Sequence, residues 1–348
     1  MLTTETINKL DSSNIFEHIK NLGFQLEESY KRYENITFDN NTNFDNVILL
    51  GTGGGSSIAS KLAKAVLEKV IEVPIVINQG YSVPKWVSKN TLAIALTVSG
   101  NTEETIQAFE QAISQKAYGV AITAGGKLKA VSEKLNAPIV ELPETKMQAR
   151  SAIGDLFGAL IRTLEKLDVI KFDFSSDIQK TSDLLKILGL KYSDLNNSEP
   201  LKTAEKLKGF SPVIYSSDEL IEVSSIRWKN QFGENSKVIA HYYTFPEMNH
   251  DEVVGWEQEK KLQEHFKVVF LRDNKDHDRN KKRMDVTKTL IENRGVEVLE
   301  INSRGESDLE RVISLIYFGD WVSIYLAFLY EIDPTPVNLI IEMKKILG

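Results

Sequence analysis

The chain has 348 residues, of which 42% are hydrophobic and 26% are charged, and its net charge is −7. This length accommodates about two globular domains, and the negative charge argues against a nucleic-acid or anionic-membrane partner, because phosphate backbones require a basic surface. Cysteine is absent, which excludes disulfides, thiolate metal sites and cysteine nucleophiles. With neither a signal-peptide pattern nor an uninterrupted apolar run of ~18 residues, we expect a cytoplasmic protein.

Strands and helices alternate in the first half of the chain, after predicted helices and polar turns in residues 1–40. Short connections between them predict a parallel sheet covered by helices on both faces. Ser56 is expected to cap the first of the alternating helices. The predicted strands are residues 46–51, 73–80, 91–99, 118–126 and 137–143, and the predicted helices are 56–70, 102–116 and 127–135.

The second half repeats this rhythm, after a helix at 150–167 and a polar helix and linker at 173–198. A long apolar helix, Leu309–Tyr330, is predicted to be broken by Gly319 and to lie in the core or at a subunit interface. We predict an α/β protein of two doubly wound domains, residues 1–165 and 166–348, each a mostly parallel sheet flanked by helices. The remaining predicted elements are strands at 212–217, 237–243, 267–273 and 296–301, and helices at 221–232, 280–293 and the C-terminus.

A glycine-rich loop, GTGGGSS (Gly51–Ser57), joins the first predicted strand to a helix. Gly54, Gly55 and Ser56 are candidate phosphate ligands, because glycines admit an anion close to the amides of a helix N-terminus. A dinucleotide site is the alternative, but the next strand ends in Asn78 and Gln79 without the expected acid. The Gly-Lys-Ser/Thr of a P-loop is also missing.

A second loop rich in hydroxyl groups, TVSGNTEET (Thr97–Thr105), follows the third strand. Thr97, Ser99 and Thr102 are candidate phosphate ligands, and a simple helix cap followed by glutamates in the first turn is the alternative. Two such loops at the carboxyl ends of neighbouring strands match the crevice in which α/β sheets bind ligands.

Two further features follow on the same predicted edge. TAGG (123–126) forms a third loop, or only a turn. Arg150 stands at a predicted helix start, where its charge opposes the helix dipole. An anionic ligand nearby would explain that position, and a solvated arginine is the alternative.

Two polar segments, NQFGENSK (Asn230–Lys237) and FPEMNHDEVVGWE (Phe245–Glu257), lack a clean helix or strand period. Glu234 and His250 within them predict proton-transfer chemistry, although a surface glutamate and a loop histidine are the alternatives for each residue alone. No His, Asp or Glu spacing suggests a metal site. Four further histidines lie outside any predicted cluster: His18, His241, His265 and His277.

The glycine loop, SGNTEET and the Arg-Ser-Ala segment together resemble the sugar isomerase (SIS) domain. With NQFGENSK, PEMNHDEVVGW and the terminal DPTPV, the chain resembles the bifunctional phosphoglucose/phosphomannose isomerase family from about Val47 to Lys344. The resemblance implies two SIS domains, a homodimer, no metal or other cofactor, and a place in carbohydrate metabolism. It implies interconversion of glucose 6-phosphate and fructose 6-phosphate, often with mannose 6-phosphate.

The resemblance also assigns roles to individual residues. It implies that Arg150 stabilises an enediolate, that Glu234 is the base, and that His250, supplied by the partner subunit, opens the sugar ring. Lys344 matches a lysine of the C-terminal helix near the sugar, and Lys345 is the alternative for this position. Ser99 and Thr102 match phosphate ligands, and Thr97 lies at another hydroxyl position of the same loop.

The sequence departs from the family pattern at two places. Gly55 stands where the family loop has a serine, so Ser56 or Ser57 is expected to replace that contact. Val337 stands where some dual-specificity members have threonine, and a valine cannot hydrogen-bond a sugar hydroxyl. The sequence therefore predicts mannose 6-phosphate activity less strongly than glucose 6-phosphate activity.

Two other functions compete with the isomerase. A non-catalytic SIS protein that binds a sugar phosphate would keep the phosphate loops and need not keep Glu234. The isomerase half of an amidotransferase would need a glutaminase domain with a cysteine nucleophile, and the chain has no cysteine.

Overall fold

The computed structural model describes residues 2–39, 43–144, 147–218 and 220–347. They divide into two compact units, Asn21–Lys186 (the first unit) and Met1–Lys20 with Ile187–Gly348 (the second unit). The predicted domain boundary at residues 165 and 166 stays a prediction.

The first unit contains a five-stranded parallel sheet with strand order β2-β1-β3-β4-β5. Its elements follow α1 (Thr4–Leu10) and α2 (Ile15–Lys20), which belong to the second unit. They are α3 (Leu22–Arg32), β1 (Asn46–Leu50), α4 (Ser56–Leu67), β2 (Ile75–Asn78), β3 (Thr91–Leu96), α5 (Glu103–Ser114), β4 (Tyr118–Thr123), α6 (Gly126–Lys134), β5 (Ile139–Glu141), α7 (Ile153–Lys166) and the first part of α8 (Ser175–Ser193).

Strand β3 occupies the centre of this sheet, and every one of its residues is buried. Its apolar run without alternation is typical of a parallel strand covered on both faces. The order of strands reverses between β1 and β3, and α/β sheets bind ligands at such a switch point, beyond the carboxyl ends of the strands. Both predicted phosphate loops begin at these two strand ends.

The second unit contains a four-stranded parallel sheet with order β7-β6-β8-β9. This order repeats that of the first four strands of the first sheet, so the predicted α/β class with two similar halves is confirmed. The elements are α9 (Glu199–Leu207), β6 (Ser211–Ser217), α10 (Glu222–Gln231), β7 (His241–Phe245), α11 (Lys260–Gln263), β8 (Phe266–Arg272), α12 (Asp278–Glu292), β9 (Val298–Asn302), α13 (Asp308–Leu329) and α14 (Asn338–Leu347).

Helix α13 is continuous, so the prediction that Gly319 breaks it is wrong. Gly319 lies against the indole of Trp228, and a Cβ at this position would come within 2.2 Å of Trp228 Nε1. The glycine therefore makes room for a packed tryptophan. The helix is long and apolar enough to cross a membrane, but 94% of its most apolar window is buried inside the protein, as in a core helix.

Two predicted boundaries also change. Gly55 rather than a serine occupies the N-cap of α4, and Ser56 is the first helical residue. Strand β7 begins at His241 and not at residue 237, because Phe232–Ser236 form a π-helical turn and Lys237 follows in the left-handed conformation with φ 59°.

Candidate active site

The glycine-rich loop after β1 packs directly against the segment that carries Arg150. A Cβ on Gly55 would lie 2.3 Å from the carbonyl oxygen of Ala149 and 3.3 Å from Leu156 Cδ1. Contacts this short leave no space for any side chain. The backbone of residue 149 therefore occupies the place where a serine side chain would otherwise project, which explains the departure from the family loop.

The two serines at the start of α4 differ in their partners. Ser57 is buried, and its hydroxyl accepts a hydrogen bond of 2.8 Å from Gln79 Nε2 at the end of β2. Ser56 is also buried, at 5% exposure, and it occupies the first turn of the helix, where amides and the positive end of the dipole favour anions. Gly54 precedes them in the loop and is half-buried.

The hydroxyl-rich loop after β3 brings the Thr97 and Thr102 hydroxyls together at the start of α5. Thr102 is the N-cap residue of α5, but its hydroxyl lies 2.9 Å from the Thr97 hydroxyl instead of capping the helix. Thr102 therefore occupies the cap position, with Glu103 and Glu104 in the first turn, without a capping hydrogen bond from its side chain. Ser99 is exposed, and its hydroxyl accepts a hydrogen bond of 3.3 Å from the Asn101 amide. A hydroxyl that accepts one bond can still donate to a phosphate oxygen.

The TAGG loop packs against the backbone of the hydroxyl-rich loop. Gly100 has φ 65°, and a Cβ there would lie 1.7 Å from the carbonyl oxygen of Gly125. The amide of Leu128 donates to the Gly100 carbonyl at 2.8 Å. The TAGG segment thus fixes the backbone of the hydroxyl-rich loop through close main-chain contact.

Arg150 lies in a short 3₁₀ turn, Ala149–Ser151, before α7 rather than within the helix as predicted. Only 3% of its surface is exposed, so the alternative of a solvated arginine is wrong. A guanidinium is permanently charged and requires compensation when buried. Since Ala149 contacts Gly55, the fold brings this cation-bearing turn onto the glycine loop.

Glu234 lies in the π-helical turn Phe232–Ser236 and is half-buried. Its neighbours fix the turn: Asn235 Nδ2 donates to the Ser323 hydroxyl at 2.9 Å, and the Ser236 hydroxyl donates to the Ser323 carbonyl at 2.6 Å. Single π-helical turns often occur at functional sites. Here the turn presents one carboxylate while both following side chains are buried against α13.

Lys237 holds the far end of the same turn. Its ammonium group donates to the Glu234 carbonyl at 2.5 Å and to the Pro334 carbonyl at 3.0 Å. It thereby links the turn to the DPTPV segment that the sequence singled out.

A cavity of about 890 Å³ opens beside Glu234. Its polar lining includes Lys229, Asn230 and Asp333, and Val337 contributes to the apolar part. The structure therefore brings together Glu234 and the valine that occupies the threonine position of some family members. The side chain of Val337 offers no hydrogen bond to a sugar hydroxyl.

His250 is exposed and is not among the described residues that line this cavity. It follows a 3₁₀ turn, Glu247–Asn249, and its amide donates to the Glu247 carbonyl at 2.8 Å. Lys344 and Lys345 lie exposed in the last turn of α14, a helix in which no residue is buried. The choice between these two lysines stays open.

The expectation that His241 lies outside any cluster is wrong. Its Nε2 lies 2.7 Å from a carboxylate oxygen of Glu252, and the buried hydroxyl of Tyr215 donates to the other oxygen. Strand alternation could have placed His241 and Tyr243 on one face, but the partner carboxylate comes from a loop whose path the sequence does not show. Among the residues that the structure describes, no group of three His, Asp or Glu could hold a metal ion.

These features define the class of the protein as an SIS-type phosphosugar isomerase fold. Residues 196–347 match the family model of the bacterial phospho-glucose isomerase C-terminal SIS domain. A solved structure, tagatose-6-phosphate ketose/aldose isomerase from Escherichia coli, superposes with a TM-score of 0.66 at 14% identity, over 90% of this chain and 92% of that chain. At this identity the likeness concerns the fold alone.

Two curated relatives cover nearly the whole chain. The bifunctional phosphoglucose/phosphomannose isomerase of Caldicellulosiruptor bescii is 39% identical over 342 residues, 96% of this chain and 99% of that protein. The Aquifex aeolicus protein of the same name is 32% identical over 329 residues, 92% of this chain and 98% of that protein. The chain belongs to the bifunctional phosphoglucose/phosphomannose isomerase family and is a phosphosugar isomerase.

Proposed function

We propose that this enzyme interconverts glucose 6-phosphate and fructose 6-phosphate, and also accepts mannose 6-phosphate, through a cis-enediolate. The substrates are those in the names of its full-length relatives. The observation that carries the proposal is the contact of Gly55 with Ala149, which sets the turn of buried Arg150 against a glycine-rich helix N-terminus. That combination suits a sugar phosphate, which is an anion.

In this proposal the first unit anchors the substrate phosphate. Ser99, Thr102 and Thr97 donate hydroxyl hydrogen bonds, and the amides of Gly54 and Gly55 point at the anion. We favour Ser56 over Ser57 as the replacement for the family serine, because the Ser57 hydroxyl already has Gln79 as a partner. Binding energy from the phosphate, which does not react, holds the sugar in place for the chemical step.

Glu234 is the proposed base of the isomerisation. One carboxylate can remove a proton from C2 of the aldose and return it to C1, because the two carbons of the planar cis-enediolate present the same face to it. The positive charge of Arg150 is proposed to stabilise the oxyanion that develops on the way. The half-buried position of Glu234 at an open cavity is compatible with access to the substrate.

His250 is proposed to open the sugar ring, by moving a proton between the ring oxygen and the anomeric hydroxyl. We further propose a homodimer in which the partner subunit supplies this histidine. Two facts support this: the ring is exposed, and it is not among the described residues that line the Glu234 cavity. Lys344 is proposed to contact the sugar, and the enzyme is proposed to act in the cytoplasm without a metal or other cofactor.

Val337 is the residue that bears on mannose 6-phosphate. Its position in the Glu234 cavity makes it a candidate determinant of the C2 epimer that the enzyme accepts. A valine contributes shape but no hydrogen bond, so we propose that mannose 6-phosphate is accepted with a lower kcat/KM than glucose 6-phosphate.

A coupled assay for glucose 6-phosphate formation from fructose 6-phosphate tests the proposal, with mannose 6-phosphate assayed in parallel. Wild-type protein should turn over, and Glu234→Gln should lose at least about a hundredfold in kcat. A purified protein without turnover on any hexose phosphate would favour the alternative, a non-catalytic sugar-phosphate-binding protein. Full activity in Glu234→Gln would remove Glu234 as the base.

A further inference from the structure

The segment that carries His250 lies across one face of the second sheet. In β6 and β7, residues Tyr215 and Tyr243 are paired in register, as are Val213 and His241. Because side chains alternate along a strand, these four project from the same face. Residues 246–257, which we call the His250 segment, cover that face through the buried side chains of Met248 and Trp256.

The His250 segment is fixed on the N-terminal side of the histidine by Asn249. The side-chain Nδ2 of Asn249 donates to the Thr287 hydroxyl at 2.9 Å, and its Oδ1 accepts from Arg283 Nη1 at 3.4 Å. Both partners lie on α12. The residue before the histidine is thus attached to a long helix of the second unit.

Two acidic residues fix the segment on the C-terminal side. Asp251 accepts a hydrogen bond of 2.6 Å from the Tyr243 hydroxyl. Glu252 receives one hydrogen bond from the buried Tyr215 hydroxyl, and its second oxygen lies 2.7 Å from His241 Nε2. The Tyr215 hydroxyl is itself held by the indole Nε1 of Trp256 at 3.1 Å.

The exposed ring of His250 therefore projects from a backbone that is tied down on both sides. Loss of a single contact next to a reacting group can displace it by enough to slow a reaction markedly. The Glu252 contact is the one whose partner is a histidine, a group that ordinarily titrates near neutral pH. A protonated imidazole adds the attraction of opposite charges to its hydrogen bond with the carboxylate, and a neutral imidazole lacks that attraction.

The groups that face His241 come from three elements. Glu252 belongs to the His250 segment, and Lys229 belongs to α10. Tyr243 lies on β7 together with His241, and the centroids of these two rings are 6.4 Å apart. The hydrogen bond to Glu252 raises the pKa of His241 above its usual 6.5, against the opposing effects of partial burial and of Lys229. The charged form therefore predominates at a higher pH than in a free histidine, and it is lost as pH rises through that raised value.

We propose that His241 is a positioning residue for His250: through Glu252 it holds the His250 segment in the geometry that ring opening requires, and it does so best when protonated. The inference rests on the proposed function. His241 need not touch the substrate. Its effect on the reaction passes through Glu252 and the backbone of the segment.

Steady-state kinetics of His241→Gln test this inference in the intact protein. The glutamine keeps a neutral donor but removes the titratable charge. We expect kcat to fall about three- to tenfold, with KM changed less than about twofold. We also expect the wild-type kcat to decline as pH rises above the usual histidine pKa of about 6.5, and this decline to flatten in the variant. The matched control is His265→Gln, an exposed histidine of the same unit, which should behave as wild type.

A double-mutant cycle separates this role from general stability. If His241 acts through His250, then His241→Gln should cost little further in a His250→Asn background. Thermal unfolding should show a folded protein. If His241→Gln does not fold, Glu252→Gln replaces it, because the amide keeps an acceptor for Tyr215 while it loses the charge.

Four outcomes can be told apart. An inactive wild type would contradict the proposed function, and an active His250→Asn would contradict the role of His250 and, with it, the positioning role of His241. A His241→Gln variant with wild-type kcat and pH profile would overturn the positioning role. So would full additivity with His250→Asn.

Discussion

Asn235 Nδ2 donates to the Ser323 hydroxyl at 2.9 Å, and both side chains are completely buried. Through this bond, α13 fixes the π-helical turn that presents Glu234 one residue earlier. The same Ser323 hydroxyl makes a second hydrogen bond, of 2.7 Å, as the donor to the Asp320 carbonyl. A buried chain of hydrogen bonds therefore determines where the proposed base stands.

Substitution of Asn235 by alanine should reduce activity without removing the base. We expect kcat to fall about tenfold or more, and the free energy of unfolding to fall by about 1–3 kcal/mol, because the Ser323 hydroxyl loses a buried partner. Coupled kinetics and denaturant unfolding measure the two effects. Asn293→Ala, at the exposed end of α12, is the control. Wild-type kcat in Asn235→Ala would show that the turn holds Glu234 without this bond.

Gly55 should not tolerate even a methyl group. The 2.3 Å approach of a Cβ to the Ala149 carbonyl involves backbone, which cannot rotate away. We expect Gly55→Ala to lower the free energy of unfolding by about 1–3 kcal/mol and to lower kcat/KM. Gly80→Ala is the matched control, because nothing lies within 4 Å of a Cβ there, and its effect should stay within about 0.5 kcal/mol. Equal stability of the two variants would disprove the close contact.

The Thr102 hydroxyl should contribute to substrate affinity. Thr102→Val keeps the shape of the side chain and removes the group that pairs with Thr97, so we expect kcat/KM to fall about tenfold. Thr105→Val in the same helix is the control, because that buried hydroxyl has no hydrogen-bond partner among the described residues. A similar kcat/KM for both variants would indicate that Thr102 has only a structural role.

Asp155 should make the protein less stable as pH rises. Burial raises its pKa from 3.8 to about 6, opposed by the charge of Arg32. Between those values the folded protein keeps a proton that the unfolded chain releases, so stability falls as pH increases and stays lower above about pH 6.

We therefore expect Asp155→Asn to raise the free energy of unfolding at about pH 7 by about 1–3 kcal/mol and to flatten its dependence on pH. Denaturant unfolding at several pH values measures this. Asp183→Asn, an exposed carboxylate of the first unit with 59% side-chain exposure, serves as control. An unchanged slope in Asp155→Asn would mean that this carboxyl is not the group responsible.

Much of the fold and part of the candidate site follow from local pattern. Apolar runs bounded by glycine and polar residues predicted the strands, since a parallel strand is buried on both faces. The candidate phosphate loops were predicted because the carboxyl ends of neighbouring parallel strands meet at one edge of a sheet. The position of Thr97, Ser99 and Thr102 in one loop at a strand end follows from the sequence.

Other features depend on what distant parts of the chain bring into contact. Gly319 looked like a helix breaker, and only the position of Trp228 shows that it is a packing residue. His241 looked isolated, and only the path of the His250 segment brings Glu252 to it. Local periodicity encodes which way a strand or helix faces, but it carries no information about which backbone or side chain arrives on the other side. Local sequence patterns were sufficient to predict the α/β architecture, the candidate phosphate loops and the candidate acid and base. How tightly Gly55, Arg150 and Glu234 are held is visible only in the folded protein, because those constraints come from residues far away along the chain.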